Sequence, residues 1–204
     1  MGLLSATVSV TRYKVEGKIS EPVVESVING IKKHAIPELR DETAEKLVGW
    51  TSFESPYVPV FEPSSVVIGT YFVFALRIDK KTIPAKILTQ HFTVEMAKKL
   101  AETGQPYLSK SEKQQLKETV KNMLTTRIPF TPHIFEILWN YEDGILWFFS
   151  TQVAANEEFE TLFTQSFKLQ LMRIFPYTAV ELLAGLSDAE KDRFNNIGPT
   201  SFCE

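Results

Sequence analysis

An α+β fold, a mixed or antiparallel sheet with packed helices, follows from three features of the sequence. Residues 133–150 read His-Ile-Phe-Glu-Ile-Leu-Trp-Asn-Tyr-Glu-Asp-Gly-Ile-Leu-Trp-Phe-Phe-Ser. These are two aromatic and branched runs on either side of Asp143-Gly144, a strong hairpin signal. Ahead of them, Leu116, Val120, Met123 and Leu124 recur at the spacing of an amphipathic helix. Finally, the order helix, paired strands, helix occupies residues 20–103 and recurs over 110–174, which predicts two pseudo-repeated halves.

Taken in order, Ala6 to Val15 alternates around Val8, Val10 and Tyr13 and predicts a strand. Ser20 is the expected N-cap of the first helix, with Glu21 and Pro22 in its first turn. Val24, Val27, Ile28, Ile31 and Ala35 form the buried stripe of that helix, and Pro37 stops it. Pro37 to Lys46 is a charged connector with room for a helical turn, and Val48 to Phe53 reads as a strand. Pro56, Pro59 and Pro63 mark an irregular loop. Val66 to Ile78, with Tyr71, Phe72 and Phe74, predicts a second strong strand that ends in the polar Asp79-Lys80-Lys81. Pro84 opens a helix to about Thr103, capped by Gly104, with Leu88, Phe92, Met96 and Leu100 facing inward.

Ser109 and Glu112 form a capping box at the next helix, which satisfies two free backbone N–H groups. Arg127 closes its last turn near the negative helix end, and Pro129 and Pro132 forbid continuation. In the hairpin, a three-residue loop from Glu142 to Gly144 places Trp139 opposite Trp147. Its strands are apolar at successive positions, so both faces should be covered. Asn156 is the expected cap of a last helix that carries Glu157, Glu158 and Glu160 early and Lys168 and Arg173 late. Phe159, Leu162, Phe163, Phe167 and Ile174 make its apolar side. Residues 1–184 thus read as one domain, and 185–204 as a polar tail or one loose helix.

Composition narrows the function. With 44% hydrophobic and 23% charged residues over 204 positions, the chain matches a soluble protein with one well-filled core or two small ones. Apolar runs such as Tyr71 to Leu76 are far too short to span a bilayer, and the first residues lack the pattern of a signal peptide. The expected compartment is the cytoplasm. Cys203 is the single cysteine, which leaves no internal disulfide and no cysteine metal site. A net charge of −3 excludes a generally basic coat, so any nucleic-acid surface must be a local patch.

Catalytic patterns are missing. His34, His91 and His133 have no ligand spacing, and the chain holds no Gly-x-Ser-x-Gly elbow, phosphate-binding glycine loop or Rossmann glycine set. Asp79 and Glu136 are candidates for a metal-dependent nuclease only because a chain with 25 acids offers some, and no cluster supports them. No enzyme activity, cofactor or metal is expected. The lysines carry more information. Lys110, Lys113, Lys117 and Lys121 follow at three, four and four residues and form one stripe along a helix, and Lys80, Lys81 and Lys86 form a second cluster. Such rows can follow a phosphate backbone. The same spacing also serves an ordinary solvated helix face balanced by Glu112 and Glu118.

A resemblance bears on that choice. Leu76-Arg-Ile-Asp-Lys-Lys-Thr-Ile-Pro-Ala-Lys, Lys110-Ser-Glu-Lys-Gln-Gln-Leu-Lys-Glu-Thr-Val, Arg127, Leu138-Trp-Asn with Asp-Gly-Ile-Leu, and Phe175-Pro176 follow in order. Together with Val48-Gly49-Trp50 upstream, this order resembles the RdgC family of bacterial recombination-associated proteins over roughly residues 5–180. The resemblance implies a non-enzymatic, sequence-independent double-stranded DNA-binding protein. It also implies a ring-shaped homodimer that encircles DNA at the nucleoid and limits access of the RecA recombinase. Carried over by position, it points to Lys81 before Ile83-Pro84, to Lys113 and Lys117 on the helix, and to Arg127 at its end, with Lys80 and Lys86 as neighbours and Phe130 as a nearby aromatic. The alternative from another class is a protein-interaction module that kept this fold without binding DNA.

Overall fold

The branched and aromatic runs around Asp143-Gly144 form two paired strands, as their pattern requires, β5 (Thr131–Asn140) and β6 (Ile145–Phe148). They belong to a computed structural model that describes residues 2–37, 44–183 and 185–198. The chain begins with β1 (Thr11–Glu16), α1 (Val23–Lys33) and β2 (Lys46–Thr51). It continues through α2 (Pro63–Val66), β3 (Val67–Ile68), β4 (Tyr71–Lys80), α3 (Ala85–Thr103) and α4 (Lys110–Arg127). After β6 come α5 (Val153–Phe167), β7 (Gln170–Ile174), α6 (Pro176–Leu183) and α7 (Asp188–Asn195). The strands form one antiparallel sheet in the order β2-β4-β5-β6-β1-β7, with β3 paired on β4. This is an α+β fold. Its crossovers β1–α1–β2 and β6–α5–β7 interleave as two split β–α–β units.

One sheet face carries the core. Trp50, Phe74, Ile137, Trp139, Leu146 and Phe148 are fully buried beneath Val27 and Ile31 of α1 and Phe159 and Phe163 of α5. Phe148 and Phe159 stack with ring centroids 4.5 Å apart, and Trp139 meets Phe163 edge-on at 5.2 Å. Offset and edge-on contacts of this kind add about 0.5–1.5 kcal/mol each beyond the area they bury. Gly49 allows the closest approach: its strand is bridged by residues 34–36, and a Cβ there would collide with the Ile36 backbone. The opposite face holds a buried ion pair. Arg77 Nε and Nη2 donate to the two Asp79 oxygens, each at 2.7 Å, and Nη1 donates to the Pro56 carbonyl at 3.2 Å.

The structure corrects several expectations. The β5–β6 loop has four residues, Tyr141–Gly144, because Asn140 binds Asp143 through both its amide oxygen and its amide nitrogen and Gly144 takes φ +62°. Trp139 therefore pairs with Leu146 and Trp147 with Leu138, which sends the two indoles to opposite faces and leaves Trp147 half-buried. Asn156 is not a cap. It lies within α5, buried, where its Oδ1 accepts from the Tyr13 hydroxyl at 2.7 Å and its Nδ2 donates to the Ser150 and Gln152 carbonyls. The last predicted helix ends at Phe167, with Lys168 left-handed at φ +58°, and Arg173 and Ile174 lie on β7. Pairing along β1 outweighs the helical pattern there.

Other boundaries shift too. A turn at Gly69-Thr70 splits the run from Val66 to Ile78 into β3 and β4, and Asp79 is no polar strand end but fully buried in its pair with Arg77. The first strand starts at Thr11 rather than Ala6, α1 starts at Val23 with Pro22 as its cap, and Val24 is exposed. The order helix, strand, strand, helix does recur as α1-β2-β4-α3 and α4-β5-β6-α5. Its packing does not repeat: α1 and α5 supply core residues, whereas α3 and α4 pair with each other. The helical turn expected within Pro37 to Lys46 falls largely on residues 38–43, and Cys203 beyond 198, outside the described residues.

Candidate nucleic-acid interface

Strands β4 and β5 pair along their full length, from Tyr71 opposite Asn140 to Lys80 opposite Thr131. Everything from 81 to 130 is therefore one excursion between neighbouring strands, and it folds as a helical hairpin of α3 and α4. Local signals build it. Gly104 ends α3 in the left-handed conformation at φ +66°, and its N–H donates to the Leu100 carbonyl. At the start of α4, Glu112 N–H donates to the Ser109 hydroxyl at 3.3 Å and Ser109 N–H donates to the Glu112 carboxylate at 2.8 Å. The Ser109 hydroxyl and backbone hold the Glu112 carboxyl below its usual range.

Three sets of contacts hold the hairpin, two within it and one to the chain ahead of β2. Val120, Leu124 and Leu108 are buried. Lys81 Nζ donates to the Thr125 carbonyl at 2.7 Å and lies 4.7 Å from the centre of the Phe130 ring. Lys121 pairs with Glu45, just ahead of β2, at 2.6 Å. That last pair ties the fourth lysine of the stripe to the segment that leads into β2.

The expected site residues divide into three groups. Lys113, Lys117 and Arg127 are exposed on α4. At 1.5 Å and about 100° per residue they span about 21 Å within a sector of roughly 80° that also holds the buried Val120 and Leu124, so Lys113 and Lys117 are separated from Arg127 by the seated part of the helix. Lys117, Lys121, Gln114, Glu118 and Asn122 line, with Leu88 of α3, a shallow groove of about 360 Å³. Lys80 and Lys86 are exposed at the base of the hairpin, Lys80 opposite Lys46 of β2. Lys81 turns inward and is half-buried, so it positions the hairpin rather than facing solvent. Lys46 escaped the reading of the sequence because nothing local announces that β2 pairs with β4; its ammonium is held by Glu158 of α5.

The carboxylates weighed for a nuclease are occupied elsewhere. Asp79 is held by Arg77, and Glu136 accepts from the Leu3 N–H on the same sheet face. Among the described residues, no group of three or more His, Cys, Asp or Glu is arranged to hold a metal ion, and no helix is long and apolar enough to cross a membrane. No protein-family model matches the chain, and no curated protein is significantly similar to it.

Proposed function

We propose that this chain binds double-stranded DNA without sequence preference, in the manner of the RdgC family, and modulates homologous recombination without catalysing a reaction. The exposure of Lys113, Lys117 and Arg127 on α4, the pair on the first half of the helix and Arg127 at its end, carries this reading. Lys113 and Lys117, about 6 Å apart along the axis and clear of the buried Val120 and Leu124, can meet successive phosphates, with Arg127 a separate contact at the helix end, since duplex DNA carries one charge per ~1.7 Å. Lys80 and Lys86 add exposed cations where the hairpin begins, and Lys81 positions it. On this reading the protein acts as a homodimer at the cytoplasmic nucleoid and limits access of RecA.

A labelled duplex of either of two unrelated sequences should bind with about micromolar or weaker affinity and weaken steeply with salt. Replacing Lys113, Lys117 and Arg127 together by alanine should weaken both duplexes equally, whereas Lys191→Ala on α7 should leave them unchanged. Equal binding by wild type and triple variant would reject the assignment. One observation favours the interaction-module reading: Ile87 and Val94 on α3 and Tyr107 beyond it are exposed. If the wild type ignores duplex DNA even at low salt, that reading replaces the first.

A further inference from the structure

The sheet face opposite α1 and α5 bears a second candidate surface, built on β1, β4, β5 and β6 and using none of the α4 lysines. Residues paired across antiparallel strands share a face. The register places Leu138 beside Trp147 and Trp147 beside Arg12, and in the next row Lys14 beside Ile145. Tyr71 belongs to the same face, its ring 6.2 Å from that of Trp147 and tilted by 55°, so the two rings do not stack on each other. Leu138, Trp147 and Tyr71 are only half-buried, and Arg12 is exposed. The large aromatics of the other face are fully buried beneath α1 and α5, whereas these two are only half-buried.

Two cations flank the rings. Arg12 is in register with Trp147, and Lys14 follows two residues on. Lys14 donates one hydrogen bond, at 2.8 Å, to the Asp143 carbonyl, which leaves two of its ammonium protons for another acceptor. Of the acids nearby in the register, Asp143 has its carboxylate engaged by Asn140 Nδ2 at 2.6 Å, and Glu136, on the same face, accepts from the Leu3 N–H. Partly open aromatic rings beside cations on a sheet are the ingredients with which proteins bind unpaired bases: the rings stack, and the cations follow the backbone. Of the two cations, Lys14 is a residue type depleted at protein–protein interfaces, which favours a nucleic-acid occupant over a protein one.

We propose that this face binds single-stranded nucleic acid, with bases on Trp147 and Tyr71 and phosphates on Arg12 and Lys14. It is independent of the duplex reading, because it uses none of the α4 cations. The test is titration of the full chain with labelled oligothymidylate of about 15 nucleotides at low salt, read by anisotropy and by quenching of tryptophan emission. Trp147→Ala should weaken binding about tenfold, and Trp147→Phe, which keeps a stacking ring, should retain most of it. Arg12→Glu at an exposed position should also weaken it about tenfold, with an unchanged thermal melt. The proposal is overturned if Arg12→Glu binds like wild type, or if binding is lost only in the Lys113, Lys117 and Arg127 variant. It is equally overturned if the wild type ignores the oligonucleotide, or if Trp147→Ala abolishes a concentration-dependent self-association instead.

Discussion

Helices α5 and α3 differ in what holds them. Over 15 residues α5 buries Ala155, Asn156, Phe159, Leu162 and Phe163, while α3 runs for 19 residues and buries none. Leu88, Phe92, Met96 and Leu100 of α3, the expected inner face, are only half-buried. One helix is held by the aromatic core it covers, the other by a partner helix and a glycine cap. Most helical stability comes from packing an apolar face, so the hairpin is the weaker of the two regions. It is also the region that displays the cations. Weak local stability and exposed function commonly coincide, since surfaces that meet ligands are drawn from the low-stability end of a fold.

Substitutions should separate the two regions. Trp139→Ala removes a fully buried indole that touches Phe72, Tyr141, Phe163 and Phe167, and should cost about 3–5 kcal/mol, measured by denaturant unfolding of the whole chain. Asp79→Ala strands the buried Arg77 guanidinium and should cost about the same, and a loss under 1 kcal/mol would show that water reaches the pair.

Tyr13→Phe is a smaller core change, about 1–3 kcal/mol, since it leaves the buried Asn156 Oδ1 without its donor. It also carries a pH signature. Burial, reinforced by Glu160, raises the Tyr13 phenol above its ordinary value of 10.0. A raised folded value favours the neutral form, so this contribution is complete below about pH 10 and is lost as pH rises above it toward the folded value. Stability should fall in alkaline solution for wild type and fall less for Tyr13→Phe. Smallest of all, Ser109→Ala breaks the capping box and should cost about 1 kcal/mol, seen as lost helical signal while near-ultraviolet aromatic signals from the core persist.

The same contrast explains what the sequence revealed. Signals acting within four residues were legible: the Ser109 and Glu112 box, the Gly104 cap, the Asp143-Gly144 turn and the exposure of Lys113, Lys117 and Arg127. Register was not, because three- and four-residue loops both suit Asp-Gly, and one residue of difference moved Trp147 to the other face. Strand β7 was hidden because Phe167 to Ile174 continues a helical pattern, while its pairing partner β1 lies more than 150 residues earlier. Asp79 looked like a strand end. Arg77, two residues away and thus on the same face, was the available signal that it would be paired and buried. At the site, the inward turn of Lys81 depended on Thr125 and Phe130, which only the folded hairpin brings near.

Hydrogen exchange with and without duplex DNA tests the central claim most directly, that the weakly held hairpin is the DNA-binding element. In the free protein, amides of α3 and α4 should exchange faster than those of β4, β5 and α5. Adding duplex at low salt should protect residues 110–127 of α4, leave the sheet unchanged, and lose its effect at high salt. Protection confined to the sheet or to α5, or no protection anywhere with duplex present, would contradict the account.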